Sequence, residues 1–318
     1  MSQRSPSPER IVEAASVIGA DVRDTPVRHD SVLDAAVGAR VWLKDETSGP
    51  VRSFKARGTD FMIARAVAAG AELVCASAGN FGQGMARSGT AGGHKVTVFA
   101  AANANPLKIE RMRTLGADVR LSGADFDAAN TAAKAYAQAH PATLFIEDCD
   151  YAEVAEGAGT IALELTEARL AFDTMFVPVG GGALAIGIGT WLRHARPGCQ
   201  VIGVGAAGAA AYHNSWHARL LIETPSADTI ADGIAIRVPM ANALRHLADA
   251  LDDFMLVSDD AMLAAMRLIH STVGLAVEPS AASVVAAMLQ RKGRLPAAVA
   301  APISGGNLTA EQKQKWLR

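Results

Sequence analysis

Short apolar runs alternate along the chain with longer stretches whose apolar residues recur three and four apart, the pattern of parallel βα units. Strands are predicted at 40–44, 72–76, 95–99, 118–121, 143–147, 175–179, 200–204, 254–257 and 297–302. A helix is predicted over 54–69, where Phe61, Ile63, Ala64, Val67 and Ala68 gather toward one face. Further helices are predicted over 127–139, 153–168, 261–270, 281–291 and 309–317. Pro106 suits a first helical turn, Leu107, Ile109, Met112 and Leu115 follow at helical spacing, and Gly116 ends that run. A short polar tail precedes Ile11. No repeat of solenoid period and no low-complexity linker interrupts the pattern, so any domain division is discontinuous in sequence. The fold predicted is an open α/β sheet in two lobes, with ligands bound where carboxyl ends of strands meet helix N-termini.

Composition narrows the class. Half the residues (50%) are hydrophobic and 19% are charged, enough to bury a large core and too apolar for a disordered or fibrous chain. Basic and acidic residues nearly balance, 30 against 32, which leaves no footprint for a nucleic-acid backbone or an anionic membrane. No apolar run reaches the roughly 18 residues of a membrane span, and the opening MSQRSPSPER lacks the apolar region of a secretory signal, so cytoplasmic residence is expected. Cys75, Cys149 and Cys199 are too scattered for a disulfide framework or a CxxC metal site; they fit a reducing compartment and are expected to take no part in catalysis. His29, His94 and His270 read as surface or packing residues.

Four glycine-bearing loops follow strands. VRSFKARGT at 51–59 holds Lys55 near a helix start. Most lysines are solvated, and one becomes a nucleophile only when burial or a nearby cation lowers its pKa; Arg52 and Arg57 are near in sequence, and the helix start also disfavours an ammonium. SAGNFGQG at 77–84 combines Gly79, Gly82 and Gly84 with the short polar side chains of Ser77, Asn80 and Gln83 ahead of a helix, a setting for a carboxylate and equally for an unliganded turn. VGGGAL at 179–184 sets three glycines in a row at a helix start, which packing alone explains poorly and a phosphate explains well; the GK[ST] ending of a nucleoside triphosphatase is missing. PISGGN at 302–307 presents Ser304 at a strand end. GVGAAG at 203–208 matches GxGxxG, with Glu223 at the expected interval, but dinucleotide binding would leave the glycine-rich loops at 77–84, 179–184 and 302–307 without a role.

In this order the loops resemble the serine/threonine dehydratase group of fold type II pyridoxal-phosphate enzymes, which includes serine racemase and the catabolic threonine dehydratases. The resemblance runs from Thr25-Pro26 to Asn307. It takes in WLKDE at 42–46, PLKIERMRTLGADV at 106–119, EGAGTIALE at 156–164, ADGIA at 231–235 and EPSAA at 278–282. It implies two open α/β lobes with the cofactor in the cleft between them. The large cofactor-binding domain would comprise 1–71 plus 148–318, and the small domain, 72–147, would carry the SAGN loop.

Lys55 resembles the lysine that bonds pyridoxal phosphate as a Schiff base and then takes the α-proton. Phe54 would pack near the ring, Gly233 beside it, and Ser304 against its nitrogen. Gly180, Gly181, Gly182, Ala183 and Leu184 would hold the phosphate, Ala183 standing where the family has a fourth glycine. Asn80 would bond the ring oxygen, and Ser77, Ala78, Gly79, Asn80, Phe81 and Gln83 would form the substrate carboxylate pocket.

The resemblance implies a dehydratase, or ammonia-lyase, that converts L-threonine or L-serine to a 2-oxo acid and ammonia, working as a homodimer. Alternatives are a lyase for a larger β-hydroxy amino acid, such as 3-hydroxyaspartate or 3-phenylserine, and an amino-acid racemase. Racemases of the group have a serine at the position of Ala78, which has no proton to trade, and Phe81 replaces the usual histidine. Arg52 replaces a common glycine. The glutamate of the family's cation site is missing from GVGAAGAAA, so no metal is expected. With the chain ending soon after PISGGN, no regulatory domain is expected.

Overall fold

The computed structural model describes residues 4–148 and 150–318; Cys149 lies outside the described residues. In chain order the strands are β1 (Val27–Arg28), β2 (Arg40–Asp45), β3 (Glu72–Ala76), β4 (Val96–Ala100), β5 (Asp118–Leu121) and β6 (Thr143–Ile146). β7 (Thr174–Pro178), β8 (Gln200–Ala206), β9 (Asp253–Val257) and β10 (Ala298–Ile303) follow. They form a six-stranded sheet ordered β1-β2-β10-β7-β8-β9 and a four-stranded sheet ordered β5-β4-β3-β6. Every pairing is parallel except that of β1 with β2. Central strands β7 and β10 are buried along their whole length, as expected of apolar runs covered by helices on both faces. All strands of the smaller sheet come from the segment 72–146.

The boundaries of β2 to β10 lie within two residues of the pattern's expectations, and the two-residue β1 was not expected. The helices Pro8–Val17, Ser31–Val37, Ala211–Ala218 and Ala241–Ala250 are not announced by that pattern. The first takes in residues 8–10 of the expected polar tail. Ser7 Oγ accepts from Arg10 N, Pro8 opens the first turn, and Arg4 pairs with Glu153 and Glu156.

Helices Lys55–Ala66, Ala152–Glu167 and Ala183–Ala195 cross backbone to backbone. A Cβ on Gly157 would lie 2.4 Å from the Arg57 carbonyl oxygen, and one on Gly187 would lie 1.9 Å from that of Ala155. The glycines of GVGAAG also serve packing: Gly203 and Gly205 lie in β8, and a Cβ on Gly208 would meet the Asp228 carbonyl oxygen at 1.8 Å.

One buried ionic network joins four of the sequence motifs. Arg57, fully buried, donates from Nε to Glu46 Oε2 at 2.7 Å and from Nη2 to Thr25 Oγ1 at 3.0 Å. Its Nη1 donates to Thr160 Oγ1 at 2.9 Å and also to Glu164 Oε1. Lys44 Nζ completes the set, 2.6 Å from Glu164 Oε2. Burial alone would raise the Glu164 pKa, but Arg57 and Lys44 hold it below its ordinary value of 4.5.

Replacing Arg57 by leucine leaves buried Glu46 without its cation and Glu164 with Lys44 alone, so it is expected to cost about 3 kcal/mol, read as a lower urea midpoint at unchanged slope. Because the folded pKa of Glu164 is depressed, its contribution to stability is complete above 4.5 and is lost as pH falls through the lower folded value. Acid unfolding of the native protein should therefore steepen below pH 4.5, and this component should be absent in Glu164→Gln.

Candidate active site

The chain leaves β2, turns through 46–54, and is tied to the end of β10 before the lysine helix starts. Ser53 bridges Gly305, Phe54 N donates to Ser304 O at 3.1 Å, and Gly306 N donates to Arg52 O at 3.0 Å. Phe54 caps the helix without a side-chain bond, and Lys55 is its first residue. Lys55 Nζ lies 5.0 Å from the Phe54 ring centre and 5.6 Å from that of Phe81, and it pairs with Asp148 Oδ2. Of the two arginines near it in sequence, Arg57 is turned away into the buried network. The charged group that touches the lysine is therefore a carboxylate.

The SAGN loop is largely self-supporting. Ser77 Oγ accepts from Gly79 N at 3.2 Å and from Gly82 N at 3.0 Å, doing for the helix Asn80–Ala91 what its cap residue Gly79 cannot. Asn80 Nδ2 donates to Glu278 Oε2 at 2.8 Å, while its Oδ1 accepts from Asn307 Nδ2 at 2.8 Å and from Gln83 Nε2 at 3.3 Å. A Cβ on Gly305 would sit 2.1 Å from Glu278 Oε2 and 3.0 Å from Asn80 Nδ2, which explains the first glycine of SGGN. A Cβ on Gly79 would meet nothing within 4 Å, so the loop faces open space there. Ala78 is half-buried beside it.

From β7 the chain enters Gly180, Gly181 and Gly182, the last at φ 102° in the left-handed region that glycine adopts freely. The helix Ala183–Ala195 begins there with no capping side chain and no acidic residue in its first turn, so the N–H groups of Ala183 and Leu184 start an electropositive end. The Ala183 methyl joins the hydrophobic core, which accommodates the departure from a fourth glycine. A Cβ on Gly180 would lie 2.3 Å from Gly233 O, so ADG abuts the glycine loop; Ser280 in turn covers Gly233. Ser304, buried, ends β10 on the same side of the sheet as the lysine turn.

Sequence reasoning gave no role to Asp148, Lys108, Glu278 or Asn307. Lys108 Nζ is 2.6 Å from Asp232 Oδ2 and 2.9 Å from Glu278 Oε1; burial disfavours its charge, but the two carboxylates more than offset that and raise its pKa. Asp148 follows β6 by two residues, and the signal for it was its place at the carboxyl end of a parallel strand. Burial pushes the Cys75 thiol up to about 12, aided by Asp148, and Cys199 up to about 11, so both stay protonated. His29 bonds Asp34, His94 bonds the Ala71 carbonyl, and His270 is exposed. Among the described residues no three His, Cys, Asp or Glu side chains gather as a metal site would require.

The residues fit pyridoxal phosphate. The glycine loop brings its backbone against Gly233 at an uncapped helix start, and among the described residues three buried side-chain oxygens, Ser53 Oγ, Gln83 Oε1 and Asp148 Oδ1, have no hydrogen-bond partner. Gly180→Ala should push the loop off Gly233 and weaken phosphate binding roughly tenfold or more, equivalent to losing one or two hydrogen bonds to a charged group. Titrating the apoenzyme with pyridoxal phosphate by absorbance would measure this, and unchanged affinity would take Gly180 out of the cradle.

The family described as pyridoxal-phosphate dependent enzyme matches residues 18–305. An L-threonine ammonia-lyase of Geobacter sulfurreducens is 34% identical over 303 residues, covering 94% of this chain and 75% of that one. A biosynthetic L-threonine dehydratase of Pasteurella multocida is 35% identical over 260 residues, 81% of this chain and 50% of its own length. The chain thus spans three quarters of one relative and half of the other. The solved structure of maize serine racemase superposes with a TM-score of 0.91 at 26% identity, covering 98% of this chain and 97% of that one. Since the match at 18–305 takes in every strand of both sheets, the chain belongs to the pyridoxal-phosphate dependent enzymes, and pyridoxal phosphate is its cofactor.

Proposed function

We propose that the protein is a lyase that converts a β-hydroxy amino acid of the L-threonine or L-serine type to a 2-oxo acid and ammonia by α,β-elimination. The observation that carries this reading is an asymmetry of proton carriers. Lys55 stands between the Phe54 and Phe81 rings, while Ala78, in the facing loop, has no proton to give. A racemase needs a carrier on each side of Cα; an elimination needs one base. The printed names of the Geobacter and Pasteurella relatives, an ammonia-lyase and a dehydratase of L-threonine, support the same reaction class.

In this reading Lys55 carries the cofactor and moves the α-proton at Nζ, with Asp148 keeping the amine aimed. When bound, pyridoxal phosphate supplies the electron sink that makes the α-proton acidic. Ser77, Ala78, Gly79, Asn80 and Gln83 hold the substrate carboxylate, and Phe54 and Phe81 keep water from the lysine. The N–H groups of Gly180, Gly181, Gly182, Ala183 and Leu184 bind the phosphate; Gly233 flanks the ring. Ser304 meets the ring nitrogen with a hydroxyl. A hydroxyl cannot hold that nitrogen protonated as a carboxylate would, so loss of the β-hydroxyl as the α-proton leaves is favoured over chemistry that needs a long-lived negative charge at Cα. The released enamine takes up water and gives the 2-oxo acid and ammonia.

The reading includes a small lobe at 72–147 against a large one at 1–71 plus 148–318. It also includes cytoplasmic residence, supported by the buried, unpaired Cys75 and Cys199. A homodimer is part of it too, with exposed Leu220 and Leu221 among the apolar groups available for an interface.

Purified holoenzyme offered L-threonine and L-serine is expected to release ammonia and 2-oxo acid in equal amounts. Lys55→Ala should lower that rate about 10³-fold or more with the fold intact. An undiminished rate would remove Lys55 from the mechanism, and no release from any β-hydroxy amino acid would overturn the lyase.

A further inference from the structure

The basic side chains around the cleft divide into two kinds. Lys55 is paired with Asp148, Lys108 with Asp232 and Glu278, and Arg57 with Glu46 and Glu164. Arg52 and Arg111 differ: among the described residues neither has a carboxylate within ion-pair distance. Arg52 Nε and Nη2 reach only the Gly306 carbonyl oxygen, at 3.4 and 3.5 Å, and Arg111 Nη1 donates to Asn307 Oδ1. Most of the N–H donors on the two guanidinium groups are thus uncommitted.

The two cations converge on consecutive residues, Gly306 and Asn307. Burial first and then the nearness of Arg52 lower the Arg111 pKa, with Glu278, itself ion-paired to Lys108, acting in the other direction from beyond ion-pair distance. Adjacent cations with no carboxylate in direct contact are stabilised by an anion between them, and paired guanidinium forks match a carboxylate. Their place relative to the substrate is set by hydrogen bonds: Asn307 Nδ2 donates to Asn80 Oδ1 at 2.8 Å, and Asn80 opens the helix behind the carboxylate loop. Asn307 therefore links Arg111 to that loop, and Arg52 sits on the adjacent Gly306. Arg52 also sits at φ 51°, a conformation that glycine takes without strain, and here an arginine occupies it.

We propose that Arg52 and Arg111 form a subsite for a second carboxylate, making the preferred substrate an acidic β-hydroxy amino acid of the 3-hydroxyaspartate type. The inference rests on the lyase reading above and names its substrate class. An aromatic side chain, as in 3-phenylserine, would leave both charges unanswered. The chemistry balances without an oxidant. The Cα–H and Cβ–O bonds break, the hydroxyl leaves as water, and the enamine diacid tautomerises to the imine. Water then adds, releasing ammonia and the four-carbon 2-oxo diacid.

Two readouts on the holoenzyme test it. Aspartate and asparagine have nearly the same shape, differ in side-chain charge and have no β-hydroxyl to lose, so each binds without elimination. Titrations with both enantiomers of each, followed by the cofactor absorbance, should show aspartate bound about tenfold more tightly or better, the worth of a charge-assisted pair. Arg52→Gly and Arg111→Gln should each erase most of that preference, while Arg111→Lys, which keeps the charge, should retain part of it. Glutamine at 111 can still bond Asn307, so the variant isolates the charge. In parallel, the ratio of kcat/KM for 3-hydroxyaspartate (threo and erythro) to that for threonine should exceed one and fall about tenfold or more in both variants. Equal binding of aspartate and asparagine by the native enzyme, or a preference unchanged in both variants, would overturn the subsite. Elimination from threonine without a preference for 3-hydroxyaspartate would overturn it while leaving the lyase standing. An aspartate preference that the variants abolish, with no elimination from any substrate, would uphold the subsite and overturn the lyase.

Discussion

Two residues beyond the lysine that defines the site, a fully buried arginine has its charge answered by buried Glu46 and partly buried Glu164. Arg57 holds Glu46 from the end of β2 and Glu164 from the helix Ala152–Glu167, with Thr25, Lys44 and Thr160 filling the remaining donor and acceptor positions. A buried charge is tolerated only when its partners are complete, so this set fixes the first turn of the lysine helix against both neighbours at once. Lys55, on the opposite side of that turn, inherits the fixed position. The register of β2 with β10, from Ala298 opposite Arg40 to Ile303 opposite Asp45, continues this constraint into the Ser53–Gly305 bridge.

The cleft is then assembled from polar groups far apart in sequence. Asn80 and Lys108 come from the segment that carries the smaller sheet; Glu278, Asp232 and Asn307 come from the larger one. Their mutual bonds hold one sheet's helices against the other's strand ends. The glycines at 180, 233 and 305 are the places where these pieces approach too closely for a Cβ. Close backbone approach also supplies N–H groups that a phosphate can use, so packing and anion binding impose the same requirement on the glycine loop.

The cations around the cleft differ in whether the protein itself pairs them. Where a cation is structural, as with Arg57 and Lys108, carboxylates of the protein already neutralise it. Where cations are left facing each other, as with Arg52 and Arg111, the field is available to a ligand. Phe54 and Phe81 line the lysine with apolar surface.

The sequence by itself determined the alternation of strands and helices, the four glycine loops in their order, and Lys55 as the candidate base. Each of these is written locally, in hydrophobic period, glycine runs and strand-to-helix transitions. The helix Ala211–Ala218 was not legible for want of a capping side chain, whereas Ala241–Ala250 was missed although Ala243, Leu244, Leu247 and Ala250 recur at helical spacing. Only the tertiary structure decided that Arg57 turns inward while Asp148 meets Lys55, that Asn80 is held by Glu278 and Asn307, and that Arg52 and Arg111 converge. Such pairings join residues far apart in the chain, and no local pattern records which charge will find which partner once the chain is folded.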